Sequence, residues 1–330
     1  MAKCLVTGGA GFIGSNLVDG LVAQGDQVRV FDNLSTGKRE NLAQVESKIE
    51  FINGDLRDKD ALAQAMRGID YVFHIAALRA VLRSVDDPVE TNDVNVTGTL
   101  NVLLAAREAK VKRVIFTSSS SVYGDTEKFP CQENDLPLPQ SPYAASKIMG
   151  EYYCKIFTRL YGLETVCLRY FNVFGPRQNP ESVYSAVIPI FIDCLLQGIG
   201  PEIHWDGKQS RDFSYVDNVV TGNILAAKAK GVAGEVFNIA CHEEFSVLDI
   251  FENLKEILTK TKQQQLAHIQ GVKPVFKPKR AGDVRRTFAD ISKAEKLLGF
   301  TVQTRFRPGL EKTVKWFLDS GVLSEKTGGQ

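Results

Sequence analysis

The sequence predicts an α/β protein, a doubly wound parallel sheet of Rossmann type followed by a second, smaller α/β domain. Three observations carry that reading. Short β-branched runs alternate with amphipathic stretches of helix length through the first half of the chain. A glycine-rich turn joins the first such run to the first helix. The 330 residues, 44% hydrophobic and 24% charged, match two ordinary globular domains and neither a disordered nor a fibrous chain.

In chain order, strands are predicted over Lys3–Thr7, Gln27–Phe31, Glu50–Ile52, Tyr71–Ile75, Arg113–Thr117 and Thr165–Arg169. Helices of crossover length fall between them near Gly11–Gln24, Asp58–Met66, Val94–Lys110 and Tyr143–Tyr161. After Phe174-Gly175-Pro176 the regularity weakens and prolines and glycines break the chain often. Residues 1–175 therefore form the predicted first domain and residues 176–330 the second. The helix Tyr215–Lys228 and the strand Glu235–Ile239 are expected to return to the sheet, so the first domain is rejoined over about residues 215–240.

Composition excludes several classes of function. Forty Lys and Arg against 39 Asp and Glu leave a net charge of +1, which lacks the broad positive field that nucleic acid or an anionic bilayer would require. No apolar run approaches the roughly 18–20 residues that cross a bilayer, and Met-Ala-Lys leads directly into a strand. The expectation is a cytoplasmic chain with no membrane partner, no nucleic-acid partner and no signal peptide. Its six cysteines and four histidines are scattered without ligand spacing, which proposes no metal site and reduced thiols. His74, inside Tyr71-Val72-Phe73-His74-Ile75-Ala76, reads as a core histidine.

The turn Thr7-Gly8-Gly9-Ala10-Gly11-Phe12-Ile13-Gly14 carries the first chemistry. Gly8 and Gly11 permit a tight turn, Phe12 and Ile13 open the helix whose amides can meet a pyrophosphate, and Gly14 allows close packing of helix on strand. The next strand ends at Asp32, followed by Asn33, about 20 residues on, where a carboxylate can hold an adenine ribose. An acid there, with no adjacent arginine for a 2′-phosphate, favours NAD over NADP. Asp55-Leu56 and Ala76-Ala77 fall at later strand ends, where they would line the same cleft.

Tyr143 and Lys147 are one helical turn apart behind Ser141-Pro142 and project from one face. That spacing gains meaning from the hydroxyl run Thr117 to Ser121, at the carboxyl end of a predicted strand. Together these groups suit hydride chemistry at a carbinol. Tyrosine titrates near about 10, so a tyrosine base needs a nearby cation, which Lys147 and a nicotinamide can supply. Ser119 would hold the substrate oxygen as charge shifts onto it.

These residues, with Leu168 to Pro176, Ser210 to Val216 and Arg280 to Asp290, resemble the signatures of the extended short-chain dehydrogenase/reductase superfamily, and within it the UDP-hexose 4-epimerases. The resemblance runs over nearly the whole chain. It implies an isomerase in which Asp32, Asp55, Ala77 and Asn95 line an NAD site, with Tyr143 and Lys147 beside the nicotinamide. It further implies that Ser119 acts with Tyr143, and that Asn172, Arg211, Arg280 and Asp283 hold the nucleotide diphosphate and its ribose. Arginine forks suit a doubly negative diphosphate in a nearly neutral chain. Arg79 stands where many relatives carry lysine.

Related dehydratases follow the strand-end hydroxyl with an acid pair, and UDP-glucuronate decarboxylases with a glutamate; Ser120 and Ser121 stand there instead. Thr287 aligns with a position that is a bulky tyrosine in epimerases restricted to UDP-glucose and small in those taking 2-acetamido sugars. The expectation is epimerisation at C4 of both UDP-N-acetylglucosamine/N-acetylgalactosamine and UDP-glucose/galactose. A uronate is the rival substrate, because the serine run offers hydroxyl donors to a carboxylate. A non-catalytic NAD-binding regulator and a dehydrogenase that releases reduced cofactor stay open as readings of other classes. Apolar stripes at Ile148, Tyr152, Ile156 and Leu160 and at Val96, Leu100 and Leu103 fit the helices that pair as a homodimer in the resembling family.

Overall fold

A computed structural model describes residues 1–79, 81–179, 187–261, 267–279 and 284–320. The chain runs β1 (Lys3–Thr7), α1 (Phe12–Ala23), β2 (Gln27–Asp32), β3 (Ile49–Asn53), α2 (Lys59–Ala65), β4 (Tyr71–His74), α3 (Val81–Asp86) and α4 (Pro88–Asn92). A π-helical turn over Asp93–Thr97 leads into α5 (Gly98–Glu108), followed by β5 (Arg113–Ser119), α6 (Pro142–Tyr161), β6 (Glu164–Tyr170) and β7 (Val173–Phe174). The remainder is α7 (Val187–Leu196), β8 (Glu202–His204), β9 (Ser210–Asp212), β10 (Ser214–Tyr215), α8 (Val216–Lys228), β11 (Glu235–Ile239), β12 (Glu244–Ser246), α9 (Val247–Thr261), β13 (Val275–Lys277), β14 (Arg286–Thr287), α10 (Ser292–Leu298) and α11 (Phe306–Ser320).

Seven parallel strands form the main sheet in the order β11-β6-β5-β4-β1-β2-β3. The order reverses beside β1, so the carboxyl ends of β1 and β4 open a crevice at the switch point, where such sheets take ligands. Buried β5 reads Arg-Val-Ile-Phe-Thr-Ser-Ser without alternation, because helices cover both of its faces. One core packs α2, α5 and α6 on one face through Leu62, Val102, Leu103, Phe116 and Phe157. The other face is covered by α1, α8 and α10 through Leu17, Val18, Val219, Ala226 and Leu298. α8 packs on α1, and β11 pairs with β6 from Glu235↔Val166 to Ile239↔Tyr170. A third core, aromatic around Phe174, Phe213, Phe251 and Phe306, joins α7, α9 and α11 into a smaller lobe. β9 pairs there with β12 and β14.

The stripe expected on α5 is corrected at Leu103, which is 1% exposed and belongs to the core. Among the described residues, no helix is long and apolar enough to cross a membrane.

Candidate active site

Both lobes face a cleft of about 2050 Å³ that runs from the glycine turn to β14. Local sterics build its floor. Gly8 has φ +70°, and a Cβ there would meet the Ala76 backbone at 2.7 Å. A Cβ on Gly14 would lie 2.0 Å from the Gly8 carbonyl oxygen. Gly11 precedes helix α1 with no side chain capping it, and Gly11, Phe12, Ile13 and Gly14 at the helix start line the cleft. Such a helix start attracts an anion through its amides and dipole. Asp32 accepts from Ala10 N (2.9 Å) and Leu34 N (2.8 Å), and burial pushes its carboxyl above the ordinary range. Asp55 takes a two-pronged contact from Arg57 and a hydrogen bond from Asn33, which hold its carboxyl well below that range. A dinucleotide fits this cradle: the turn admits no side chain, and Asp32, Asn33, Asp55, Leu56, Ala76 and Ala77 line the space beyond it.

The hydroxyl run acquires its shape from a cap. Ser119 ends β5 in extended backbone and caps the one-turn 3₁₀ helix Ser120–Tyr123, its Oγ accepting from Ser121 N at 3.2 Å. The turn closes at Gly124, φ +60°, where a Cβ would strike the Leu138 carbonyl oxygen. Ser121 Oγ donates to Ser119 Oγ at 2.9 Å. Behind the strand, Ser118 donates to Glu151, which is ion-paired with Arg169 at 2.7 Å, both side chains buried.

Helix α6 delivers the other two groups. Ser141 caps it by accepting from Ala144 N at 3.2 Å, and Pro142 supplies the preset backbone angle of the first turn. The Lys147 ammonium is 3% exposed, donates to the Thr117 carbonyl at 2.9 Å, and lies 5.2 Å from the Phe116 ring centre and 5.8 Å from that of Tyr143. Burial brings it down to about 8. Burial raises the Tyr143 phenol above 10, while the neighbouring Ser119 hydroxyl and the Arg79 guanidinium pull it down. Tyr143, Lys147, Ser119, Ser120 and Arg79 all line the cleft.

Asn95 is 2% exposed; its Oδ1 accepts from Leu78 N (2.8 Å) and its Nδ2 donates to Leu78 O (3.0 Å) and Ser146 Oγ (3.1 Å), while the neighbouring Val94 lines the cleft. Asn95 sits in the π turn and ties the β4 exit to α6. His74 completes this scaffold between Thr7 Oγ1 (2.8 Å) and Thr99 Oγ1 (2.9 Å), held neutral near 3 chiefly by burial.

Across the cleft, Arg211 is held by donating to Ser210 O and Val284 O. Asn172 donates to Asp212 O at 3.0 Å and to Thr287 Oγ1 at 3.2 Å. With both amide hydrogens engaged, it offers only an acceptor oxygen, which suits a hydroxyl or N–H and not the oxygens of a diphosphate. Thr287 lines the same wall. Arg280 and Asp283 lie outside the described residues. Sequence reasoning missed Leu34 to Lys38, which fold over the Asp32 end, and Arg177, which lines the cleft while paired with Asp19 at 2.6 Å. Gly37 was the available signal for the loop, since a Cβ there would sit 2.9 Å from the Ala10 carbonyl carbon.

Residues 4–240 match the family described as NAD dependent epimerase/dehydratase. The chain is 40% identical to a UDP-glucose 4-epimerase of Mycolicibacterium smegmatis, over 96% of this chain and 98% of that one. Among solved structures it is similar to a Thermotoga maritima UDP-glucose 4-epimerase with UDP-glucose, at 39% identity and TM-score 0.89, covering 96% and 99% of the two chains. It is equally similar to a Methanobrevibacter ruminantium UDP-N-acetylglucosamine 4-epimerase in complex with UDP-N-acetylmuramic acid, at 40% identity and TM-score 0.89, covering 97% and 99%.

Proposed function

The chain belongs to the NAD dependent epimerase/dehydratase family, and from that premise we propose that it interconverts UDP-hexoses epimeric at C4, accepting UDP-N-acetylglucosamine/N-acetylgalactosamine and UDP-glucose/galactose. The observation that carries this reading is the reactive end of the cleft: Ser119, Tyr143 and Lys147 converge with Ser120 and Ser121 alongside, and the described lining of β5 and the turn after it holds no carboxylate. Elimination of water would need additional acid or base groups at that place.

When bound, NAD takes up and returns the C4 hydride. Gly8, Gly11, Phe12, Ile13 and Gly14 would hold its pyrophosphate and Asp32 its adenine ribose. In its phenolate form Tyr143 takes the proton of the C4 hydroxyl, and as phenol it gives the proton back to the same oxygen. Ser119 donates to that oxygen while charge develops on it. Lys147 supplies fixed positive charge under the phenol ring, and Arg79 supplies it from the cleft mouth. Arg211 grips the diphosphate, so the keto sugar between these anchors can turn and present its other face. Thr287, a small side chain donated to by Asn172, leaves room for an acetamido group without excluding a hydroxyl.

We assign residues 1–175 and 215–240, with α10 packed on them, to the NAD lobe and the remainder to the UDP-sugar lobe. We also infer a homodimer through α6, whose exposed face carries Met149, Tyr152, Ile156 and Leu160. A uronate is the second reading, because Ser120 and Ser121 add hydroxyls to the lining. An NMR time course with the acetamido, neutral and uronate UDP-sugars tests the assignment. Epimerisation of the first two with no net signal in the reduced-nicotinamide band supports it. Turnover of the uronate alone would replace it, and accumulating reduced cofactor would mark a dehydrogenase.

A further inference from the structure

We propose that Ser121 is a positioning residue that turns Ser119 into an obligatory hydrogen-bond donor, toward the phenol of Tyr143 in the free site and toward the C4 oxygen when substrate is bound. This rests on the reaction proposed above only in naming that oxygen; the geometry of Ser121 and Ser119, in the cleft that Tyr143 also lines, stands without it.

A serine hydroxyl has one hydrogen to give and two lone pairs to receive. Here Ser119 Oγ receives twice from one residue, from the Ser121 backbone N–H at 3.2 Å and from the Ser121 hydroxyl at 2.9 Å. The N–H cannot reverse its role. With the hydroxyl as the second donor, both Ser119 lone pairs are occupied and its hydrogen must point elsewhere, into the cleft that Tyr143 also lines. The Ser119 hydroxyl interacts with the Tyr143 phenol in the sense that favours phenolate, as a donor would. The arrangement follows from the backbone. Ser119 is in the extended conformation of a capping residue, and Ser121 is the second residue of the 3₁₀ turn that it caps. That turn is anchored at its far end by Tyr123, whose hydroxyl donates to Asn238 Oδ1 at 2.7 Å, and by the close approach at Gly124.

A Ser119 that could rotate would sometimes accept from Tyr143 and so stabilise the protonated phenol. Ser121 removes that option. Its partner, Ser120, has no such contact with Ser119 and is not expected to share the role.

The variant Ser121→Ala isolates the hydroxyl, because the backbone N–H and hence the cap remain. Tyrosinate absorbance is titrated in the NAD-bound protein, the signal of the matching Tyr143→Phe counterpart being subtracted from that of each background so that only Tyr143 is read. The expected result is an ionisation midpoint displaced to higher pH, kcat lowered about tenfold, as loss of one well-made hydrogen bond allows, and an unchanged KM for the UDP-sugar. Ser121→Thr restores both the midpoint and kcat. A parental midpoint with parental kcat overturns the proposal. A raised KM at parental kcat also overturns it, since Ser121 would then be touching substrate. If the parent protein turns over no UDP-sugar but the midpoint still moves, the positioning role stands and the assigned reaction falls.

Discussion

Replacing Lys147 with methionine is expected to abolish useful turnover while changing stability in a way that depends on pH. The ammonium is 3% exposed, and burial lowers it from 10.5 to about 8. At about 1.4 kcal/mol for each tenfold change in proton affinity, keeping that charge in place costs about 3 kcal/mol. Because the folded-state value lies below the unfolded one, the cost is present in full below about pH 8 and fades as pH rises toward 10.5. Methionine removes the charge together with its hydrogen bond to Thr117 O, leaving a carbonyl unpaired at about 1–3 kcal/mol. The two effects nearly cancel near pH 7, so the variant should unfold within about 1–2 kcal/mol of the parent there. Between pH 7 and 10 only the parent recovers the desolvation cost, and the gap should move in its favour by about 2–3 kcal/mol. Denaturant titrations of both proteins at the two pH values measure the gap, and turnover should be lower by about 100-fold or more. Stability curves that stay parallel across that range would refute the claim that Lys147 is held as a desolvated cation.

Tyr143→Phe should lower turnover by about 10²–10⁴-fold while the purified protein retains as much NAD as the parent, read from absorbance and mass. Thr287→Tyr should cut kcat/KM for the acetamido UDP-sugars by at least about tenfold and leave the neutral UDP-hexoses within a few-fold, in a paired kinetic panel. Gly14→Ala places a Cβ 2.0 Å from the Gly8 oxygen, so the turn must deform; NAD retention should be lost at a protein yield that still permits purification.

The parts of the fold legible in the sequence were those fixed by local pattern. Lys3–Thr7 and Glu235–Ile239 agree to the residue, and most other strands within one, because alternation of apolar runs with turn residues encodes them directly. β5 is longer than expected, reaching Ser119, since serines at a buried strand end look like a turn until β6 is seen beside them. The helix expected from Val94 begins instead with a π turn, and α3 and α4 precede it. One extra residue in a turn barely alters hydrophobic spacing, and the turn is held by distant partners, His74 on Thr99 and Asn95 on Leu78. For the same reason the hydrogen bonds of Asn95 to Leu78 and Ser146 are not legible in the sequence. The glycine turn and the pair Tyr143 and Lys147 were readable because sterics and helical spacing constrain them locally. The orientation of Asn172, fixed by Asp212 and Thr287 from two other segments, was not.

In the proposed reaction the hydrogen on C4 leaves the sugar and returns to the same carbon from the opposite side, without mixing with water. A UDP-sugar deuterated at C4, incubated with the protein in ordinary water and followed by NMR, tests it most directly. An epimerised product that keeps deuterium at C4 is the expected result. An inverted product carrying protium there would contradict it.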